Sequence, residues 1–329
     1  MEYRKLGRSD LRVSTVCMGC WAIVDDKLWG AQDVQDAIAA IQASYDAGVN
    51  FFDTAELYGD GSSEELLAKA LEGRREKAVL ASKVASQNVR AADLRKACEA
   101  SLRRLKTDRI DLYQVHWPNH DVPFAETLGE LQKLKAEGKI RAIGISNFQH
   151  LDLVDWLALG HADANQFCYS LLWRAIEFET LPLCVKHDVS VLCYSPMMQG
   201  LLTGKFRKAA DVPDGRARTR LFSKDRPLSR HGEPGLEGPV FDAINRMREL
   251  CEAWGVEMAH AALAWLLAQP GVASVVAGAR DAAQARDNAK AGDLKLSAEQ
   301  VAQLGALTEP IKQHFGANAD LWQSQSRMR

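Results

Sequence analysis

Long apolar runs are missing from this 329-residue chain. None approaches the ~18 residues that a bilayer-spanning helix requires, and the charged start MEYRKLGRSDLRV holds no apolar stretch of signal-peptide length. Charge imbalance is missing as well. The 41 Lys and Arg are met by 43 Asp and Glu, a formal net charge of -2, so no global field draws nucleic acid or an acidic membrane. The partners expected are small molecules, with an oligomer compatible with the sequence. There is no disulfide framework: seven cysteines, at 17, 20, 98, 168, 184, 193 and 251, form an odd and scattered set that fits a reduced, cytoplasmic compartment. The one close pair, CMGC at 17–20, has no second ligand pair at suitable spacing, so two strand cysteines are expected and no metal. The first strand is followed by CWAIVDD and not by a GxGxxG turn, which removes the usual mark of an open dinucleotide-binding sheet.

What is present is an apolar fraction of 47% in a repeated alternation, short apolar run then amphipathic run. YRKLGRSDLRVS reads as a small hairpin turning around Gly7 to Asp10. VSTVCMG then precedes DVQDAIAAIQASYDAG, with Asp33 as helix cap and Gly48 as stop, and VNFFD precedes a helix whose Ser62 and Glu65 have capping-box spacing. The rhythm recurs through AVLASK, RIDLYQVHW, IRAIGIS, ADANQFCYS, VSVLCYS and VASVVAG, giving eight units. The strand runs are nearly continuous in apolar residues, as in a parallel sheet covered on both faces. The reading is a single α/β domain over residues 1–329, a (β/α)8 TIM barrel with an N-terminal β-hairpin and an extra C-terminal helix opened by Ser297 and Gln300. A doubly wound open sheet is the alternative. A long loop over 205–239 follows the seventh strand and carries nine Lys or Arg from Lys205 to Arg230 against three Asp, either as a solvated excursion or as a lid over an anion. The tail 311–329 is placed near the barrel mouth.

In such a barrel chemistry gathers at the carboxyl ends of the strands. Asp53 ends the second, Tyr58 lies in its loop, Lys83 ends the third and His116 the fourth. Singly, each has a structural reading: a turn cap, a packing aromatic, a solvated amine, a core histidine. Together they suit carbonyl chemistry. A phenol with an ordinary pKa near ~10 donates a proton poorly unless a cation stabilises its phenolate, Lys83 supplies that cation, Asp53 keeps it charged, and His116 orients the oxygen. No Ser or Cys nucleophile with its own base stands at this rim, so a nicotinamide hydride is the fitting partner. A Schiff-base role for Lys83 is a rival that needs a neutral amine. Ser146, Asn147 and Gln166 offer groups for a carboxamide and Tyr194 a face for a flat ring, while the loops after strands seven and eight carry Lys205, Gly278 and Arg280 for phosphate.

The motifs NFFDTAELYG, ASKV, DLYQVHWP, GKIRAIGISNF, NQFCYS, YSPMMQGLLTGK and GARDAAQARDN, in this order, make residues 1–310 resemble the aldo-keto reductase superfamily. The resemblance implies a catalytic tetrad of Asp53, Tyr58, Lys83 and His116 with Tyr58 as proton donor. It further implies a nicotinamide held by Ser146, Asn147, Gln166 and Tyr194. Ser195, Pro196, Gly200, Leu201 and Lys205 would lie along the pyrophosphate, and Gly278, Arg280, Gln284 and Asn288 at the adenosine end, with Arg280 at a 2′-phosphate. Trp21, Trp117 and Trp322 would line the substrate pocket. Ala277 and Asp287 depart from the family's usual Pro and Glu, which leaves NADH beside NADPH as cofactor. The implied activity is reduction of a small-molecule carbonyl, aldehyde or ketone; the alternative is an NADPH-binding sensor subunit with little turnover.

Overall fold

The computed structural model describes residues 1–24 and 29–329. Strands β1 (Tyr3–Lys5) and β2 (Arg12–Ser14) form the antiparallel hairpin read from the sequence. Eight further strands follow: β3 (Val16–Gly19), β4 (Phe51–Asp53), β5 (Val79–Val84), β6 (Ile110–Val115), β7 (Ile140–Ser146), β8 (Ala164–Cys168), β9 (Ser190–Tyr194) and β10 (Val272–Gly278). All pair in parallel, each with its neighbour in sequence, and β10 returns to β3 to close the barrel. The open-sheet alternative is excluded by that closure.

The helices packed outside are α1 (Val34–Asp46), α2 (Ser62–Ala70), α3 (Ala91–Arg104), α4 (Phe124–Ala136), α5 (His150–Leu159), α6 (Thr180–Lys186), α7 (Glu237–Trp254), α8 (Met258–Leu267), α9 (Ala282–Lys290) and α10 (Ala298–Phe315). Asp33 caps α1 by accepting from the backbone N–H of Gln35 and Asp36, and Ser297 with Gln300 closes the capping box of α10. The box expected at Ser62 does not form. The chain enters α2 through Gly61 at φ 94, Ser62 is already helical, and the buried Ser63 hydroxyl donates to the Cys20 carbonyl while accepting from Thr54.

A strand presents alternate residues to opposite faces, so each barrel strand feeds two cores. Cys17, Phe51, Ala81, Leu112, Ala142, Ala164 and Leu192 point inward and pack with Leu6, Leu11 and Val13 of the hairpin region, which plugs the amino end. Met18, Phe52, Leu80, Tyr113 and Ile145 point outward under the helices. Two residues beyond Phe51, Ala81, Leu112 and Ala164, on the same inward face, come Asp53, Lys83, Gln114 and Gln166. The interior is therefore apolar at the bottom and polar at the carboxyl end. Gly144 is required here: a Cβ at this position would fall 2.6 Å from Cγ of Gln114 on the adjacent strand.

The segment after β9 is packed in its middle, while Arg207, Lys208, Lys224 and Arg230 are exposed. Ala217, Leu221 and Phe222 are buried, Arg226 pairs with Glu237 at 3.0 Å, and α7 begins at Glu237, so the loop ends three residues before the expected limit of 239. The extra helix reaches Phe315, beyond the 311 boundary read from sequence. The chain after it crosses the carboxyl end of the barrel: the Trp173 indole donates to the Ala319 carbonyl, and Arg329 pairs with Asp152 of α5 at 3.0 Å.

Candidate active site

Lys83, wholly buried, joins the site together. Its Nζ donates to Oδ1 of Asp53 at 2.6 Å, to the Thr54 carbonyl at 2.8 Å and to the Tyr58 hydroxyl at 3.2 Å. These acceptors enclose the ammonium. Asp53 uses its second oxygen to accept from Gln166 at 2.9 Å and Gln114 at 3.2 Å, so each of its oxygens is engaged. Tyr58 stands in a 3-10 turn (Tyr58–Gly61) after β4, its ring 5.7 Å from that of His116 in an edge-on arrangement and stacked on Trp21 at 6.2 Å. The four residues singled out at three neighbouring strand ends thus meet at one rim. Gln114 was missed; a polar residue on the inward face of DLYQVHW is its signal, visible once the strand's facing is known.

Burial pushes the Tyr58 phenol up, and the nearby Lys83 ammonium offsets this only in part, so the net direction is upward and the phenol keeps its proton. Lys83 responds oppositely. Burial alone would lower it, but the Asp53 carboxylate and the Tyr58 oxygen outweigh that and raise it, which works against the neutral amine that a Schiff-base role requires. His116 falls to about 3, through burial first and the Lys83 charge second, and is a neutral imidazole. Its Nδ1 is buried without a hydrogen-bond partner among the described residues.

Beside this cluster opens a cavity of about 880 Å³. Asp53, Tyr58 and His116 lie on its wall, with Lys83 behind them. So do Ser146, Asn147, Gln166, Tyr194, Ser195, Pro196, Gly200, Lys205, Gly278, Arg280, Gln284 and Asn288, and the three indoles Trp21, Trp117 and Trp322. Leu201 does not: it is buried in the core. Three of these residues form a wired set, in which Tyr194 donates to Asn147 at 3.0 Å and the Asn147 amide donates to the Ser146 hydroxyl at 3.1 Å and the His116 carbonyl at 3.0 Å. Asn147 (φ 64) and Ser195 (φ 49) hold left-handed backbone at strand ends, a strain that a non-glycine residue keeps only where its surroundings fix it.

The cavity fits a bound dinucleotide. Lys205 is lowered to about 8 by loss of water and by the adjacent Arg216, itself lowered by burial and Arg280, so three cations crowd one wall. Gln199 adds a buried side-chain Nε2 with no acceptor among the described residues. A phosphate anion satisfies both features. Arg280, on the cavity wall, donates through Nε to Gln32 and through its terminal nitrogens to the carbonyls of Trp29, Gly30 and Ala31. Those acceptors are backbone oxygens, which carry no sequence signal. The CMGC cysteines are free and buried, and no group of three or more metal-ligating side chains occurs among the described residues. No helix among them is long and apolar enough to cross a membrane.

A closed parallel barrel with a lysine-centred acid cluster beside a cation-walled cleft defines a class of nicotinamide-linked oxidoreductase folds. The chain belongs to the aldo/keto reductase family, whose model matches residues 15–309. It is similar to the NADH-specific methylglyoxal reductase of Escherichia coli, 33% identical over 95% of this chain and 100% of the relative. Among solved structures it is similar to the glycerol dehydrogenase AKR11B4 from Gluconobacter oxydans (TM-score 0.80, 32% identity, 95% of each chain). It is also similar to the aldo-keto reductase from Klebsiella pneumoniae in complex with NADPH (TM-score 0.72, 33% identity, 94% of this chain and 96% of that one).

Proposed function

We propose that this chain is an NAD(P)H-dependent carbonyl reductase that converts small aldehydes or ketones to alcohols, with Tyr58 as the general acid. The observation that carries this reading is the Lys83 ammonium held 2.6 Å from Asp53 and 3.2 Å from the Tyr58 hydroxyl. A nicotinamide held beside this cluster would supply the hydride for the carbonyl carbon. As charge develops on the substrate oxygen, the Tyr58 O–H bond breaks and its proton passes to that oxygen, leaving a phenolate. Lys83 stabilises the phenolate, and this is where its charge acts: the resting phenol is held above its ordinary pKa, so proton transfer is favourable only when a more basic alkoxide forms. His116, neutral and on the cavity wall, hydrogen-bonds the carbonyl oxygen and orients it toward Tyr58.

Ser146, Asn147, Gln166 and Tyr194 would hold the nicotinamide, and Lys205 with Arg216 the phosphates. The engagement of Arg280 with the Trp29–Ala31 carbonyls supports use of NADH as well as NADPH, in keeping with the NADH specificity named for the E. coli relative. Small polar aldehydes of the methylglyoxal kind are the substrate class. Tyr58→Phe tests the reading: turnover of methylglyoxal or 4-nitrobenzaldehyde should fall by about 10²–10⁴ while reduced-cofactor binding, followed by fluorescence, is kept. Unchanged turnover would remove Tyr58 from this role, and tight cofactor binding by a native chain that reduces no aldehyde would favour a sensor.

A further inference from the structure

Two buried glutamines meet at the base of the cavity, and they differ in reach. Gln166 of β8 is on the cavity wall, whereas Gln114 of β6 is wholly enclosed. The strand between them has Gly144 beside Gln114, where a Cβ would fall 2.6 Å from the Gln114 Cγ, so the two side chains meet over a strand that is bare at that point. The amide nitrogen of Gln166 donates to Oδ2 of Asp53 at 2.9 Å and lies 3.4 Å from Oε1 of Gln114, while the amide nitrogen of Gln114 donates to the same Asp53 oxygen at 3.2 Å. An amide has two N–H donors and one oxygen. Both donors of Gln166 therefore have acceptors, and the reverse orientation would set its oxygen against a carboxylate. Its Oε1 receives no hydrogen bond among the described residues. The neighbouring groups expected at a carboxamide are spent: Asn147 gives its oxygen to Tyr194 and its N–H donors to Ser146 and the His116 carbonyl, and the Ser146 hydroxyl donates to the Gln166 carbonyl. The Gln166 oxygen is the amide acceptor left for a ligand.

Resting on the carbonyl-reductase reading for a nicotinamide at this site, we infer that Gln114 is a positioning residue: it holds Gln166 with its oxygen toward the cavity, where that oxygen accepts from the amino group of the carboxamide. The terminal torsion of a glutamine is broad, so Gln166 held by Asp53 alone would turn, and the second contact to Gln114 fixes it. Because one Asp53 oxygen takes both glutamines, the same side chain aligns the cofactor's seat with the cluster that serves Tyr58. The test measures dissociation constants, by quenching of tryptophan fluorescence in the full chain, for a reduced nicotinamide dinucleotide and its 3-acetylpyridine analogue. The analogue keeps the carbonyl oxygen and has a methyl in place of the amino group. The native chain should prefer the carboxamide form by about three- to tenfold, the worth of one hydrogen bond. In Gln114→Met, which keeps the volume, the preference should fall to within about twofold of one. Should that variant fail to fold, Gly144→Ala takes its place, since its Cβ displaces Gln114. A general loosening of the cavity weakens both dinucleotides alike and leaves the ratio as it was; that result overturns the inference. A native ratio near one overturns it with no variant needed. The expected ratios in a chain that reduces no aldehyde would support Gln114 in this role and sink the reductase reading, and a native chain that binds neither dinucleotide would overturn both.

Discussion

At the scale of the residue, the site keeps a proton on Lys83 where burial alone would remove it. Asp53 and Lys83 form a buried pair whose remaining donors and acceptors are met by Gln114, Gln166 and the Thr54 carbonyl. A pair so completely hydrogen-bonded survives its desolvation cost, and its purpose is electrostatic: it presents one positive charge to one phenol. His116 lies edge-on to that phenol at 5.7 Å and feels the same cation as a penalty. With its pKa lowered to about 3, it is neutral at every pH above that value, so it has no proton to lose between pH 5 and 8. The pH profile of kcat/KM is therefore expected to show no break near the ordinary histidine value of ~6.5. A break there that vanishes in His116→Gln would mean the imidazole is charged in the resting protein and acts as an acid itself.

At the scale of the element, the carboxyl end of the barrel is built by two segments outside the eightfold repeat, the stretch after β9 and the chain after α10. Arg220 ties them. Its side chain is buried, pairs with Glu233 at 3.0 Å, donates to the Asn318 and Asp320 carbonyls, and packs on the Trp173 and Phe315 rings. Arg220→Met keeps the volume and removes the donors. It should cost about 1–3 kcal/mol in urea unfolding, the penalty for leaving buried acceptors unpaired, and raise KM for the aldehyde more than KM for the cofactor, because Trp322 and Arg327 ride on the released segment. Equal rises in the two constants would show that these segments support the cavity as a whole. This arrangement marks the limit of what could be read from sequence. The repeat and its strand ends were legible because strand spacing fixes which residues reach the rim, and so Asp53, Tyr58, Lys83 and His116 were found. Gln114 was not, since its role depends on the space left by Gly144 on the next strand. Arg327 over Trp117 joins residues far apart in the chain, and the contacts of Arg280 end on backbone carbonyls, which every residue has.

At the scale of the whole molecule, the barrel is sealed at its amino end by an apolar plug and carries a cation-rich wall at the other, so an anionic cofactor bound there would couple to protein stability through that wall. Lys205 is the measurable part. Lost water and then Arg216 oppose its charge and lower it to about 8, against ~10.4 for an unhindered lysine. A lysine with a lowered folded pKa works against folding in full below pH 8, and that opposition is relieved as pH rises toward the unfolded value, since the unfolded chain then binds more protons than the folded one. A bound phosphate reverses the local balance by favouring the charged amine. Affinity for the reduced nicotinamide should accordingly be steady below pH 8 and weaken above it, by up to about tenfold per pH unit for one proton, until the lysine pKa of the complex is passed. The rise in Tm on adding saturating cofactor at fixed concentration should shrink over the same range. Lys205→Gln should bind more weakly at pH 7 and lose most of this pH dependence. Fluorescence titrations at pH 7, 8, 9 and 9.5 check it: a native dissociation constant that stays level across that series would show that Lys205 does not meet the phosphates, and the cationic wall would then need another occupant.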